Sequence, residues 1–298
     1  MSERGLVEQT GVIHDIGYQR YAGQRLGRRH IVGALYLHGL RAAFGLGRSA
    51  KAKIFPWFII GVVGIVAVIV TAVKAQVGET LMTYAQFAEG MSWLILFFAA
   101  VVGPELVSRD LGTGVLPLYF SRPLRRSDYA LARLAAVVSA IFLLLGGPQL
   151  LMFAGNAFST KDGMSGVWDE LTDLLPGLAY AGLWSLVYGS IAVLIASVTG
   201  KRAFGAGGIV AVFLMSAPVV GVLSTLPSTT TNQLAGLASP TTIVRGTGEW
   251  LFFKALEPQA GAQGMGIGDY GPVYGAAALL LVATCVLLLL ARYRRVAR

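Results

Sequence analysis

The sequence predicts an all-α membrane protein: six transmembrane helices, an amphipathic interfacial helix near the amino terminus, and short re-entrant or interfacial helices before the last span. Composition is the first observation behind this fold class. Of the 298 residues, 55% are hydrophobic and only 13% are charged, whereas soluble domains carry about 25% charged residues. A single hydrophobic core stops growing near this chain length, so the surplus apolar surface requires a lipid environment.

Six apolar segments of about 20 residues, the length needed to cross a bilayer, are the second observation. None has a charged residue at its centre. They cover residues 54–73, 86–107, 128–154, 174–198 (with Pro176 in the first turn), 203–223 and 271–290. Residues 224–270 contain the segment IVRGTGEWLFFKAL, which is too short to cross and too apolar for a free loop. We therefore expect an extracytoplasmic region of short helices there.

The distribution of basic residues is the third observation, and it sets the orientation. With the amino terminus placed inside, 20 of the 24 Lys and Arg residues fall on the cytoplasmic side. This bias predicts a multi-pass protein of the bacterial cell membrane with both termini in the cytoplasm. The net charge of +9 therefore indicates membrane topology, and no nucleic-acid partner is expected. The first apolar run begins too late for a cleaved signal peptide, so we expect the whole chain to be retained.

The residues before the first span form a basic leader, 1–53, that is separate from the membrane domain, 54–298. A helical stripe in the leader, at steps of three and four residues, contains His30, Ala34, His38, Arg41, Gly45 and Arg48. A helix of this kind lies in the headgroup plane, with its cations near anionic membrane lipid. The alternative is a cytoplasmic helix with an ordinary apolar face. No metal site is expected, because the two histidines have no further ligands nearby.

The loop between the second and third spans, residues 108–127, is too long for a tight hairpin. Gly112 and Gly114 allow a sharp exit from the second span. An apolar stretch, 115–120, predicts a short helix with Pro117 in its first turn and Pro123 at its end. Apolar residues on a cytoplasmic loop indicate a partner surface. The alternative is a solvated loop whose arginines only anchor the topology. Two acids near this loop, Glu105 and Asp128, could pair with Arg109, Arg125 or Arg126.

The loop resembles the intracellular loop of type-2 ATP-binding-cassette (ABC) transporter permeases. The resemblance rests on Glu105, Arg109, the pair Gly112-Thr113, the turn Ser121-Arg122-Pro123 and the pair Arg125-Arg126. The leader segment GVIHDIGYQRYAGQRLGRR is also similar to the amino terminus of a subgroup of these permeases. The chain departs from the family pattern in the order of its turn residues, and Arg133 stands where a lysine is common.

The resemblance implies that the loop is a coupling helix seated on a separate ABC ATPase subunit. It also implies that a second permease subunit, identical or not, completes the translocation path, and it favours export. The residues expected to couple to the ATPase are Glu105, Arg109, Gly112, Thr113, Leu116, Tyr119, Phe120, Arg122, Pro123, Arg125 and Arg126. The substrate is expected to be hydrophobic or amphipathic.

The chain itself is not expected to be an enzyme. A phosphate-binding loop needs the pattern Gly-x-x-x-x-Gly-Lys-Ser/Thr, and the only Gly-Lys pair, Gly200-Lys201, is followed by Arg202 and lacks the first glycine. This chain should therefore bind no cofactor, and ATP and magnesium are expected in the partner ATPase.

The membrane spans offer few polar groups for transport chemistry. Gln149 and Asn156 could line a path, or they could be interhelical hydrogen-bond partners. Acids or histidines deep in the bilayer, typical of ion-coupled carriers, are missing from the sequence pattern. Two alternatives remain: an ion-coupled carrier or channel without an ATPase, and a membrane sensor or scaffold.

Overall fold

The computed structural model describes residues 23, 26–78, 80–121, 123–161, 163–252 and 266–295. All regular structure within these residues is helical, and no strand occurs among them. Five of the helices are long and apolar enough to cross a membrane. These are α2 (Ala50–Val77), α7 (Arg126–Ser159), α8 (Gly163–Val198), α9 (Arg202–Ser224) and α12 (Gly271–Arg295). The all-α class is confirmed within these residues, and the five candidate spans favour a membrane protein.

The predicted second span is not one straight helix. It consists of α3 (Tyr84–Gly90) and α4 (Ser92–Leu106), and α5 (Ser108–Gly112) continues it. The two parts meet at an angle of 55°, so the structure has six candidate spans only if this bent pair is counted as one. Thr83 and Gln86 form a reciprocal capping box that starts α3 separately from the helix before it.

The spans extend further into polar sequence than the apolar runs predict. Helix α8 begins at Gly163 rather than near Leu174, so Pro176 lies inside the helix and not in its first turn. The apolar pattern marks only the part of a helix that meets lipid, whereas α8 continues through a polar turn. In that turn Glu170 forms an ion pair with Lys74 of α2 and accepts a hydrogen bond from the Tyr84 hydroxyl at 2.7 Å.

The bundle has a central pair of helices and a peripheral set. About two thirds of the most apolar stretches of α7 and α8 are buried (61% and 67%), against 28% for α2, 11% for α9 and 28% for α12. Large apolar side chains on the peripheral helices are exposed, among them Trp57, Phe58, Met215, Leu279 and Leu287. In a membrane these faces meet lipid or another subunit.

Helix α1 (Arg28–Ala43) packs along α7 through Leu35, Gly39 and Ala43, which are buried. On its other side His30, Ala34, His38 and Arg41 are exposed, as the helical stripe predicted. The predicted stripe is wrong at its end, because Gly45 has a positive φ of 68° and the helix has already ended. Arg48 therefore lies in the link between α1 and α2, not on the helix.

Short helices occupy the described part of residues 224–270. These are α10 (Thr229–Leu234), a 3-10 turn (Ala235–Ala238), α11 (Pro240–Leu251) and a second 3-10 turn (Gly268–Tyr270). The 12 residues of α11 cover about 18 Å, too little to cross a bilayer core of about 30 Å. Whether these helices and α1 lie at the membrane interface stays a prediction.

Candidate coupling site

The predicted coupling loop folds into two short helices. After α5, Gly114 adopts a positive φ of 67° and reverses the chain, a conformation that glycine reaches without strain. The second helix, α6 (Leu116–Phe120), has Pro117 in its first turn as predicted. It ends at Phe120, shortly before Pro123, in agreement with the prediction that this proline limits the helix.

The apolar side chains of α6 mostly face the bundle. Leu116 is buried, and the rings of Tyr119 and Phe120 lie 5.6 and 6.2 Å from the ring of Tyr129 on α7. Leu118 is different, because 71% of it is exposed. The predicted apolar patch is thus divided: most of it anchors the loop, and Leu118 is exposed.

Glu105, at the cytoplasmic end of α4 in the predicted orientation, binds three arginines from three different segments. Arg48 of the α1–α2 link approaches its Oε1 at 2.7 Å, and Arg109 of α5 donates to the same oxygen at 3.1 Å. Arg202, the first residue of α9, donates to Oε2 at 2.8 Å. The sequence predicted only the Arg109 pair. We call these four residues the Glu105 hub.

A second carboxylate, Asp110, fixes α5 to α7. Arg133 donates to its Oδ2 at 2.5 Å, and the Tyr129 hydroxyl donates to the same atom at 2.7 Å. Only 3% of the Arg133 side chain is exposed. Because Arg133 is buried, removal of Asp110 would leave a charge without a partner in the interior and would destabilise the protein.

Asp128, in the first turn of α7, has a different partner from the predicted ones. Its carboxylate accepts from Arg28 of α1 at 2.5 and 2.6 Å. This hydrogen bond raises the pKa of the exposed Arg28 guanidinium above its usual value. Arg125 donates its main-chain N–H to Asp128 at 3.1 Å, and its charge attracts the same carboxylate. The ion pair of Asp128, however, is made with Arg28 and not with Arg125 or Arg126, which the sequence had offered as partners.

Hydrogen bonds to main-chain carbonyls fasten the same segment to the other helices. Ser108 donates to the carbonyl of Ala196 on α8 at 2.8 Å, and Arg126 donates to the carbonyl of Arg294 on α12 at 2.8 Å. A Cβ added to Gly112 would collide with the carbonyl oxygen of Gly200 in the α8–α9 link. The loop is therefore attached directly to α7, α8, α12 and the α8–α9 link, and through Glu105 to the α1–α2 link and α9.

The remaining predicted loop residues have fewer contacts. Thr113 is exposed, and its hydroxyl donates to the Arg109 carbonyl at 2.8 Å. Pro123 and Arg125 are exposed. Arg122 lies outside the described residues.

A cleft of about 900 Å³ opens between α1 and the loop. His38 and Arg41 of α1, Arg48 of the link, and Glu105 and Arg109 of the loop side all line it. The helical stripe of α1 and the loop were predicted as separate features, but in the structure residues from both line this one cleft. His30 does not line this cleft. In the described ranges no three His, Cys, Asp or Glu side chains are grouped to hold a metal ion.

Gln149 and Asn156 lie near the opposite end of the bundle. Gln149 is fully buried and donates to the Tyr84 carbonyl at 3.0 Å. Asn156 donates to the Tyr84 hydroxyl and to Glu170, each at 3.1 Å. Both amides connect helices within this chain, which was the alternative interpretation of these residues. Their role in lining a path stays a prediction.

Sequence reasoning missed Asp110, Arg133 and Arg202 as site residues. Arg202 was counted only among the basic residues that set the orientation, although it lies beside the Gly200-Lys201 link, between two predicted spans. The contact of Arg202 with Glu105 joins residues 97 positions apart, and no local pattern records such a pairing.

In the comparisons with known proteins, no family model matched the chain and no curated protein matched it.

Proposed function

We propose that this chain is the membrane-spanning subunit of an ABC transporter, with residues 108–127 receiving the movement of a separate ATPase subunit. Two such permease subunits would form the path, and the transporter would export a hydrophobic or amphipathic substrate. ATP and magnesium would be bound by the ATPase.

The Glu105 hub is the observation that carries this proposal. A loop that only anchored topology would need basic side chains near lipid headgroups, but it would not need ties to other spans. Here one carboxylate joins the loop to the α1–α2 link and to the start of α9. A displacement of the loop would therefore be transmitted to two separate parts of the bundle.

The exposed surface of the loop also supports a protein partner. Pro117 and Leu118 are exposed, and so are the basic residues Arg109 and Arg125, which precede and follow them in the sequence. An apolar centre with a charged rim is typical of a protein interface. An ion-coupled carrier would not require this surface, and a scaffold would not require a loop tied to several spans.

Affinity capture of the tagged chain from its native membrane, followed by mass spectrometry, tests the proposal. We expect an ABC ATPase to be recovered, and we expect Leu118→Asp and Arg125→Glu to reduce its recovery by about tenfold, the loss of one central contact. The matched control is Leu226→Asp, at an exposed leucine beyond the other end of α9. Recovery of no ATPase, or equal recovery with all three variants, would refute the proposal.

A further inference from the structure

We propose that the cleft between α1 and the loop binds the phosphate-bearing headgroup of an anionic membrane lipid. This inference does not depend on the proposed transport function, because it concerns only the chemistry of the cleft. Four arginines line it, namely Arg41, Arg48, Arg109 and Arg133, and they face two carboxylates.

The two carboxylates are already occupied. Glu105 accepts from three arginines, and Asp110 accepts from Arg133 and Tyr129. An arginine carries five N–H donors, so the guanidinium groups have more donors than these acids can accept. Among the described residues, Arg41 has no carboxylate partner although it faces the cleft. The cleft therefore has an excess of cationic donors that an anion would satisfy.

Arg133 provides an independent indication. It lines the cleft with only 3% of its side chain exposed, and its Nε has no hydrogen-bond partner in the described part of the chain. A buried donor without a partner is rare in folded proteins and calls for a bound water, ion or ligand. Phosphate oxygens suit it, because they accept charge-assisted hydrogen bonds from guanidinium N–H groups.

The apolar part of the lining distinguishes a lipid from a soluble anion. Leu37, Leu46 and Leu118 line the same cleft, and each is at least 40% exposed. The link that holds Arg48 leads directly into α2, whose exposed Ile54, Trp57 and Phe58 provide an apolar surface at its start. Acyl chains could follow that surface while the phosphate lies among the arginines, and basic pockets on the cytoplasmic side of membrane helices bind lipid headgroups in this way.

Native mass spectrometry of the purified, delipidated full-length chain tests the site with short-chain phosphatidylglycerol as the probe. Phosphatidylcholine with the same acyl chains and glycerol phosphate are the comparison ligands. We expect phosphatidylglycerol to bind most tightly, and Arg41→Gln to weaken its binding by about tenfold, as loss of one charge-assisted hydrogen bond predicts. Arg41 is exposed and forms no ion pair with the residues that the structure describes, so this variant should fold.

The matched control is Arg29→Gln, which removes an exposed arginine of the same helix that does not line the cleft. It should leave the affinity within about twofold of the unmodified chain, the change expected from long-range charge alone. Equal weakening by both substitutions would overturn the proposal, since the attraction would then be nonspecific. Equal affinity for glycerol phosphate would overturn the lipid assignment. Absence of phosphatidylglycerol binding would also overturn the proposal. It would mean that Glu105 and Asp110 already satisfy the arginines of the cleft.

Discussion

Replacing Glu105 with glutamine should destabilise the protein more than removal of a single ion pair. Glutamine keeps the size of the side chain but loses the charge that binds three arginines. Arg109 and Arg202 are about half exposed (45% and 52%), whereas Arg48 is 23% exposed. Water screens the first two pairs, so we assign about 0.5 kcal/mol to each and about 1 kcal/mol to the third. The expected loss is about 2 kcal/mol, which corresponds to about 4 °C in the unfolding midpoint of a chain this long.

Cys285 offers a direct assay for this change. It is the only cysteine in the sequence and is 6% exposed, so a thiol-reactive dye should label it when the bundle unfolds in detergent. The control is Glu89→Gln at the opposite end, where Glu89 forms one ion pair among the described residues, with Arg245 at 2.6 Å, and accepts a hydrogen bond from the Tyr180 hydroxyl that glutamine can also accept. We expect its midpoint to fall by about 1 °C, because that arginine is also partly exposed.

A double-mutant cycle decides whether the hub acts as one unit. Arg202→Gln should lower the midpoint in the unmodified chain and should have almost no effect when Glu105 is already glutamine. If Arg202→Gln costs the same in both backgrounds, the two residues do not interact as described. Equal midpoints for Glu105→Gln and Glu89→Gln would likewise contradict the assignment of three productive ion pairs.

Two further predictions concern the loop and its orientation. Gly112→Ala should lower the unfolding midpoint, because the new methyl group meets the carbonyl of the α8–α9 link. The control Gly182→Ala should be neutral or stabilising, because no atom lies within 4 Å of its Cβ position. An unchanged midpoint for Gly112→Ala would refute the close approach. The orientation can be tested with a membrane-impermeant maleimide in a chain whose Cys285 is replaced by alanine. It should label Ser159→Cys, at the end of α7, in intact cells, and Ser121→Cys, before the start of α7, only after permeabilisation. Labelling of Ser121→Cys in intact cells would refute the cytoplasmic loop.

The parts of the fold that depend on local periodicity could be predicted from the sequence. The apolar runs located every candidate span, and spacing of three and four residues identified His30, His38 and Arg41 as an exposed stripe. The same spacing could not show where the helix ends. The glycines Gly45 and Gly47, both with positive φ, were the available signal for that boundary.

The site itself depends on contacts between distant segments, and these are not recorded in local sequence. Arg28 and Asp128 are 100 positions apart, and Arg202 and Glu105 are 97 apart. Each residue alone is typical of an exposed charge beside a membrane span. Only the packing of α1 and the α8–α9 link against the loop gives these charges their partners. The bend between α3 and α4 was also missed, because the break between Gly90 and Ser92 lies inside the segment 86–107 that was predicted as one span.

The two proposals share residues, and this has a physical consequence. Arg48 and Arg109 bind Glu105 and also line the cleft, so a phosphate placed there would draw on the same guanidinium groups. If the lipid binds more tightly when the loop is in one position than in another, its binding must favour that position by the same free energy. A lipid bound beside the Glu105 hub would therefore bias the segment proposed to receive the ATPase movement, through the arginines that fasten it to α1 and α9.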